Sequence, residues 1–253
     1  MLTDIIESIE QAEMVLVGLG EEFNDISAIK EKTDYLEGRK RIEEQGKLWI
    51  LPAYEEYCRS LVPERRNIVE EALGKLAEIL QNKNYFVVST SVNPIIQNIP
   101  WKDGRIVMPC GGIYKKQCPD GCSEALQDIS EEEKEQISDV DSFIKLGNCP
   151  SCGKPLIFNN IYAEKYDENG YLSQWQLYTK WLQGTLNRRI LILELGVGMK
   201  FPSVIRWPFE KIAFFNNKAS FYRVNETLYQ MSEELKDKGI SIAKNSIDWL
   251  RGV

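Results

Sequence analysis

The 253-residue chain contains no histidine. Histidine is the commonest general base and the only side chain that titrates unperturbed near neutrality. Its absence excludes Ser-His-Asp and Cys-His nucleophiles outright. Proton transfer is left to a carboxylate, a thiol, a lysine, a tyrosine or the substrate itself. Basic charge is also scarce: 31 Lys and Arg against 38 Asp and Glu give a net charge of −7, and no basic run occurs. A nucleic-acid partner is therefore not expected. No stretch approaches the roughly 20 apolar residues of a membrane helix, so a membrane partner is not expected either. The opening "MLTDIIESIEQAEM" is acidic, which suits neither a signal nor a transit peptide. These features predict a cytoplasmic protein whose thiols stay reduced.

Hydrophobic residues make up 43% of the chain and charged residues 27%, the balance of an ordinary globular domain. Short apolar runs at Met14–Val17, Phe86–Val88, Ile106–Met108 and Ile190–Leu195 read as buried strands. "ASFYRVN", residues 219–225, reads as the last strand, with an amphipathic helix expected over 228–238. Residues 2–13, much of 26–80 and 171–186 carry helical patterns. Buried strands alternating with helices predict an α/β fold, a parallel sheet covered by helices on both faces. Residues 123–148 form an acidic insert, in which Ser130 and Glu133 suit a capping box.

Four of the six cysteines stand as two pairs, Cys118 with Cys122 and Cys149 with Cys152. In a reducing compartment such pairs are metal knuckles before they are disulfides. Four thiolates complete a zinc tetrahedron, leaving no open position, so the expected ion is structural. Cys58 lies among aromatics and reads as a core residue. Gly18 and Gly20 follow the first strand, and Gly196 and Gly198 follow Ile190–Leu195. Each pair fits either a plain tight turn or a turn that admits a phosphate. Glu21 and Glu22 would repel a phosphate there unless they point away.

The order of these motifs resembles the sirtuin family along nearly the whole chain. "YFVVSTSVN" stands where sirtuins carry a Thr-Gln-Asn-Ile-Asp-like motif, and "CPSCGKP" is similar to their second zinc knuckle. "LELGVGMKFPSVIRWPF" resembles the macrodomain-associated class M sirtuins of microbes. The resemblance implies a single Rossmann-type catalytic domain over 1–253, with a helical insert at 24–63 and a zinc-binding small domain at 110–160. It further implies NAD in the cleft, Gly18, Gly20, Ser91, Asn93, Gly196, Gly198 and Asn225 as cofactor-binding residues, and Cys118, Cys122, Cys149 and Cys152 on zinc. Cys110 lies eight residues before Cys118, where sirtuins carry a catalytic His-Gly. With Ser91 and Asn93 it completes the implied catalytic set.

Several positions depart from the family. Ser91 replaces the motif's Asn and Asn93 its Asp; Glu21 and Glu22 replace small residues. No Asp-Phe-Arg segment follows the first turn. Two functions are weighed: NAD-dependent protein ADP-ribosyltransferase of the class M type, acting on an acceptor protein, or an impaired relative that binds NAD or ADP-ribose or serves as an interaction module. NAD hydrolysis is a third. Cys110 is a thiolate, a neutral filler of the cleft, or a packed thiol. With no cationic neighbour closer in sequence than Lys115 and Lys116, the filler reading is preferred. Gly111 beside it would leave room for a ligand.

Overall fold

Runs of β-branched and aromatic residues become the middle of a parallel sheet. The computed structural model describes residues 2–122, 126–130, 132–133 and 146–253. In chain order its strands are β1 (Met14–Leu19), β2 (Asn84–Ser89), β3 (Ile106–Val107), β4 (Gly111–Gln117), β5 (Gln127–Asp128), β6 (Ile157–Asn160), β7 (Ile190–Leu195), β8 (Ala219–Val224) and β9 (Gly239–Ile242). The helices are α1 (Leu2–Gln11), α2 (Thr33–Glu44), α3 (Leu51–Ser60), α4 (Pro63–Leu80), α5 (Ile95–Asn98), α6 (Asn169–Gln183), α7 (Arg206–Phe215) and α8 (Ser246–Arg251).

Six strands pair in parallel in the order β3-β2-β1-β7-β8-β9. Chain order runs outward in both directions from β1, as in doubly wound nucleotide-binding folds, so the order reverses between β1 and β7. Every residue of β1 is buried, because both faces of the sheet are covered. Val15, Val17 and Leu19 meet Ile5 and Ile9 of α1, Leu73 and Leu76 of α4, and Ile247 of α8. Leu16, Phe86 and Ile192 point the other way, against Tyr178 and Trp181 of α6 and Phe209 of α7.

A second layer sits beside this sheet. Strands β5-β4-β6 form a small antiparallel sheet, over which α2 and α3 pack. Tyr35 and Tyr54 stack 5.9 Å apart, and their cluster continues through Ile113 and Phe158 to Cys118 and Cys149. Cys58 belongs to the same buried cluster.

The region after β8 differs from expectation. Residues 228–238 form no α-helix, only a 3-10 turn at Glu233–Leu235, and β9 rather than residues 219–225 is the last strand. Two buried arginines explain the difference. Arg206 donates to the Leu228 carbonyl at 2.7 Å and Arg223 to the Gln230 carbonyl at 2.6 Å, taking acceptors that a helix would use for itself. The Ser130–Glu133 capping box forms, with reciprocal bonds of 2.9 and 3.2 Å. The rest of the acidic insert at 123–125, 131 and 134–145 lies outside the described residues.

Candidate functional site

The four paired cysteines converge from two hairpins of the small layer, with their sulfurs all within 4.8 Å of one another. Gly121 and Gly153 turn the two knuckles at φ of +81° and +74°, a left-handed backbone that glycine adopts without strain. All four cysteines are free thiols, with Cys118 and Cys152 sulfurs 3.5 Å apart. Burial would raise the Cys118 thiol. Bonds from the Cys122 and Asp120 amides and from neighbouring thiols instead bring it down to about 6. Hydrogen bonds with Cys118, Cys149 and Cys152 push Cys122 up to about 12. Binding of a divalent cation would displace the protons that Cys122 and Cys152 hold. The donor set and its closeness fit tetrahedral zinc, which would be structural here because four protein ligands leave no open position.

The remaining sequence-derived residues meet at the C-terminal edge of the parallel sheet. Gly18 lies within β1, paired with Val88 and Glu194. A Cβ on Gly18 would strike Ile205 at 2.5 Å and Phe209 at 2.8 Å, so this glycine serves the packing of α7. At Gly20 a Cβ would meet the Val197 Cα at 2.2 Å and the Gly196 oxygen at 2.3 Å. The turns after β1 and β7 therefore touch backbone to backbone. Their amides are engaged as well: Gly20 N bonds Leu195 O at 2.8 Å and Glu22 N bonds Gly196 O at 3.2 Å. Two carboxylates fill the remaining space, Glu21 on the Gly198 amide and Glu22 on those of Glu226 and Ser246.

Ser91 and Asn93 stitch the turn after β2 to the turn after β1. The Ser91 hydroxyl donates to Asn24 Oδ1 at 2.8 Å, and Asn93 Nδ2 donates to the Phe23 carbonyl at 2.7 Å. Asn93 Oδ1 accepts from the Ile95 amide at 3.1 Å. Asn225 is likewise occupied: its Nδ2 donates to Val197 O, and its Oδ1 accepts from the Thr227 and Leu228 amides. Between Ser89 and Ser91 stands a residue that sequence reasoning passed over. Thr90 is 2% exposed, and among the described residues its Oγ1 is the one buried side-chain polar atom with no hydrogen-bond partner. Its amide bonds Leu19 O at 2.9 Å, which sets it beside the glycine turn. A threonine at a strand end has no sequence signature; only the missing partner marks it.

Cys110 is 2% exposed. The room expected beside it is taken by β6: Gly111, at φ +65°, would bring a Cβ to 2.3 Å from the Asn159 carbonyl. Burial first, then the charge of Glu21, pushes the Cys110 thiol up to about 12, against a weaker pull from Lys200. The folded-state value lies above the ordinary thiol value of about 8.5. The associated stability is thus complete below that pH and is lost as pH rises toward 12. Cys110 is expected to resist iodoacetamide at pH 8 in the folded protein, and Cys110→Ala to flatten the alkaline fall in stability. Mass spectrometry of the alkylated protein and melting curves against pH check both; rapid labelling at pH 8 would mean a reactive thiolate.

Solved structures decide the architecture. A Sir2 homologue carrying a histidine-to-asparagine substitution, in complex with ADP-ribose, superposes with a TM-score of 0.60 at 9% identity, over 98% of this chain and 93% of its own. Sir2Tm bound to a propionylated peptide gives 0.57 at 12% identity, over 100% and 96%. Sir2 with a p53 peptide and NAD+ gives 0.57 at 10% identity, over 100% and 97%. The chain has the sirtuin fold. No protein-family model matches it. A curated relative, a protein ADP-ribosyltransferase of Staphylococcus aureus (strain Mu50), is 20% identical over 189 residues, 71% of this chain. The alignment takes in 60% of that relative's length, so this chain spans less than two thirds of it. The two glycine turns meet backbone to backbone at the C-terminal ends of β1 and β7, where strand order reverses, and Glu21 and Glu22 lie against the second of them. Thr90, Ser91, Asn93 and Cys110 border the same edge. No helix among the described residues is long and apolar enough to cross a membrane.

Proposed function

We propose that this chain is a sirtuin-like protein that binds NAD at the C-terminal edge of its sheet and transfers ADP-ribose to a partner protein, in the manner of the class M enzymes. The observation that carries the reading is the gathering of both glycine turns, the 89–93 turn and Cys110 at the edge where strand order reverses, the place where ligands enter this architecture. The neighbours that hold NAD+ and ADP-ribose, and the ADP-ribosyltransferase name of the relative, support it. NAD would supply the ADP-ribosyl group. The unpartnered Thr90 hydroxyl is a polar group fit to meet a bound nucleotide there. Gly18, Gly20, Gly196, Gly198 and Asn225 would shape the crevice, with Ser91 and Asn93 holding its floor. Standard deacylation is disfavoured, since the chain has no histidine and Cys110 keeps its proton at neutral pH.

A second reading draws on the same side chains. Ser91, Asn93 and Asn225 are committed to protein hydrogen bonds and Cys110 is neutral, which favours a relative that binds NAD or ADP-ribose without turnover. Calorimetry with NAD and ADP-ribose, run beside a nicotinamide-release assay, separates the two. Binding with release supports transfer or hydrolysis, which a labelled acceptor protein then distinguishes; binding alone supports the second reading; no binding, by the wild type or by folded variants that lack the Glu21 and Glu22 carboxylates, ends both as nucleotide functions.

Thr90→Val tests the site itself. Valine keeps the shape and removes an unsatisfied buried hydroxyl, so stability is expected to hold or rise slightly. ADP-ribose affinity is expected to fall by roughly threefold to tenfold, the worth of one hydrogen bond. Unchanged affinity would detach Thr90 from the nucleotide.

A further inference from the structure

The glutamates after the first glycine turn do not point away from the crevice; they occupy it. Glu21 accepts the Gly198 amide at 2.6 Å. Glu22 accepts the Glu226 amide at 2.8 Å on one oxygen and the Ser246 amide at 2.7 Å on the other. Three amides, from the turns after β7 and β8 and from the start of α8, thus bind two carboxylates through short, charge-assisted bonds. The second glycine turn is bare where these side chains lie. A Cβ on Gly196 would meet Glu22 Cβ at 2.5 Å, and one on Gly198 would meet the Glu21 carboxylate at 3.0 Å. The turn's own backbone conformation matters too: Gly196 holds φ +61°.

Backbone amides that converge beyond the C-terminal ends of parallel strands are donors of the kind that can bind a dinucleotide's diphosphate. Two carboxylates match a diphosphate in charge and in hydrogen-bond demand. We propose that Glu21 and Glu22 are an internal latch, standing in for the diphosphate on the Gly198, Glu226 and Ser246 amides and keeping the crevice shut until a nucleotide displaces them. The latch rests on the NAD reading of this crevice. A diphosphate and two carboxylates cannot share those donors, and their like charges repel. The protein in its resting state therefore has a low affinity for dinucleotides, set by the energy of opening the latch.

Two double variants of the whole chain test this. Glu21→Gln with Glu22→Gln removes the charge and keeps the shape, but the single glutamine oxygen at 22 can serve only one of the two amides there, so circular dichroism checks the fold. Glu21→Ala with Glu22→Ala empties the crevice. ADP-ribose affinity by calorimetry is expected to rise at least about tenfold in the glutamine variant, and further in the alanine variant if it folds. Adenosine, which has no phosphate, is expected to bind all three proteins alike. Hydrogen exchange at Gly198, Glu226 and Ser246 is expected to quicken in the alanine variant and to slow again with ADP-ribose. Wild-type protein binding ADP-ribose as tightly as both variants overturns the latch and leaves the NAD reading standing. An equal gain for adenosine overturns the diphosphate mimicry. Folded variants that bind no ADP-ribose, like the wild type, overturn the NAD reading and the latch with it.

Discussion

Serine at Cys149 is expected to release zinc and unfold the small layer. Cys149 is buried in the cluster that joins β4 and β6 to the aromatic pair on α2 and α3, and Cys152 is exposed, so a zinc held by the four cysteines would tie that core to the surface. Loss of one ligand therefore unties two knuckles and the sheet between them. Structural zinc contributes about 10–16 kcal/mol of apparent binding free energy in isolated zinc peptides at neutral pH. A loss of even a third of that is comparable to the whole stability of a domain. Elemental analysis is expected to find about one zinc per chain in the wild type and none in the serine variant. The melting temperature should fall with the metal. Zinc uptake should release protons, because Cys122 and Cys152 hold theirs in the metal-free cluster. Affinity then weakens as pH falls, and calorimetry in buffers of different ionisation enthalpy reads the release. Metal-free protein with an unchanged melting curve would remove zinc from the account of the fold.

What the sequence discloses depends on how local each cause is. The cysteine pairs are legible because metal geometry fixes spacing within a knuckle, and the two knuckles need only be brought together. The parallel strands are legible because burial on both faces demands unbroken apolar runs, as at Val15–Val17 and Ile190–Leu195. The small sheet is not legible. "GGIYKKQ" carries two lysines, each ion-paired, Lys115 with Asp128 and Lys116 with Glu133. Gly20, Gly196 and Gly198 follow their strands as expected, whereas Gly18, expected in the turn, lies inside β1, and the partners of all these glycines come from elsewhere in the chain. Gly18 is explained by Ile205 and Phe209, and Gly20 by Val197, none of which its neighbours announce. The repulsion between Glu21, Glu22 and a phosphate is visible in the sequence, whereas the amides that hold them are supplied by residues about 180 to 220 positions away.

The helix expected at 228–238 fails for a reason that leads to the second large effect, Glu194→Ala. Glu194 is fully buried on β7 and accepts from Arg223 Nε at 2.6 Å and Nη2 at 3.0 Å, a bidentate pair. Arg206 reaches the same carboxylate at 3.4 Å, and Arg223 also meets Glu210 at 2.8 Å. Both arginines spend their other donors on backbone carbonyls, Arg206 on Val197 and Leu228, Arg223 on Gln230. The network thus pins the turn after β7 and the segment that crosses beneath it. Alanine at 194 leaves two buried guanidinium groups sharing only the partly exposed Glu210, a break that costs about 3–5 kcal/mol. Urea denaturation measures it, and a loss under about 1 kcal/mol would mean that water reaches the arginines and the burial is incomplete. Replacing both partners, Glu194→Leu with Arg223→Met, is expected to recover only part of the loss, since the pair itself can be exchanged for apolar side chains at little cost while Arg206 stays buried without its carboxylate. The recovered protein is not expected to recover the turn. With the Arg223 bond to Gln230 gone and the Arg206 bond to Leu228 kept, residues from Gln230 onward are freer to take up the helical hydrogen bonding that their sequence favours, and a gain in far-ultraviolet helical signal over the wild type is the result that identifies Arg223 as what holds that part of the segment open.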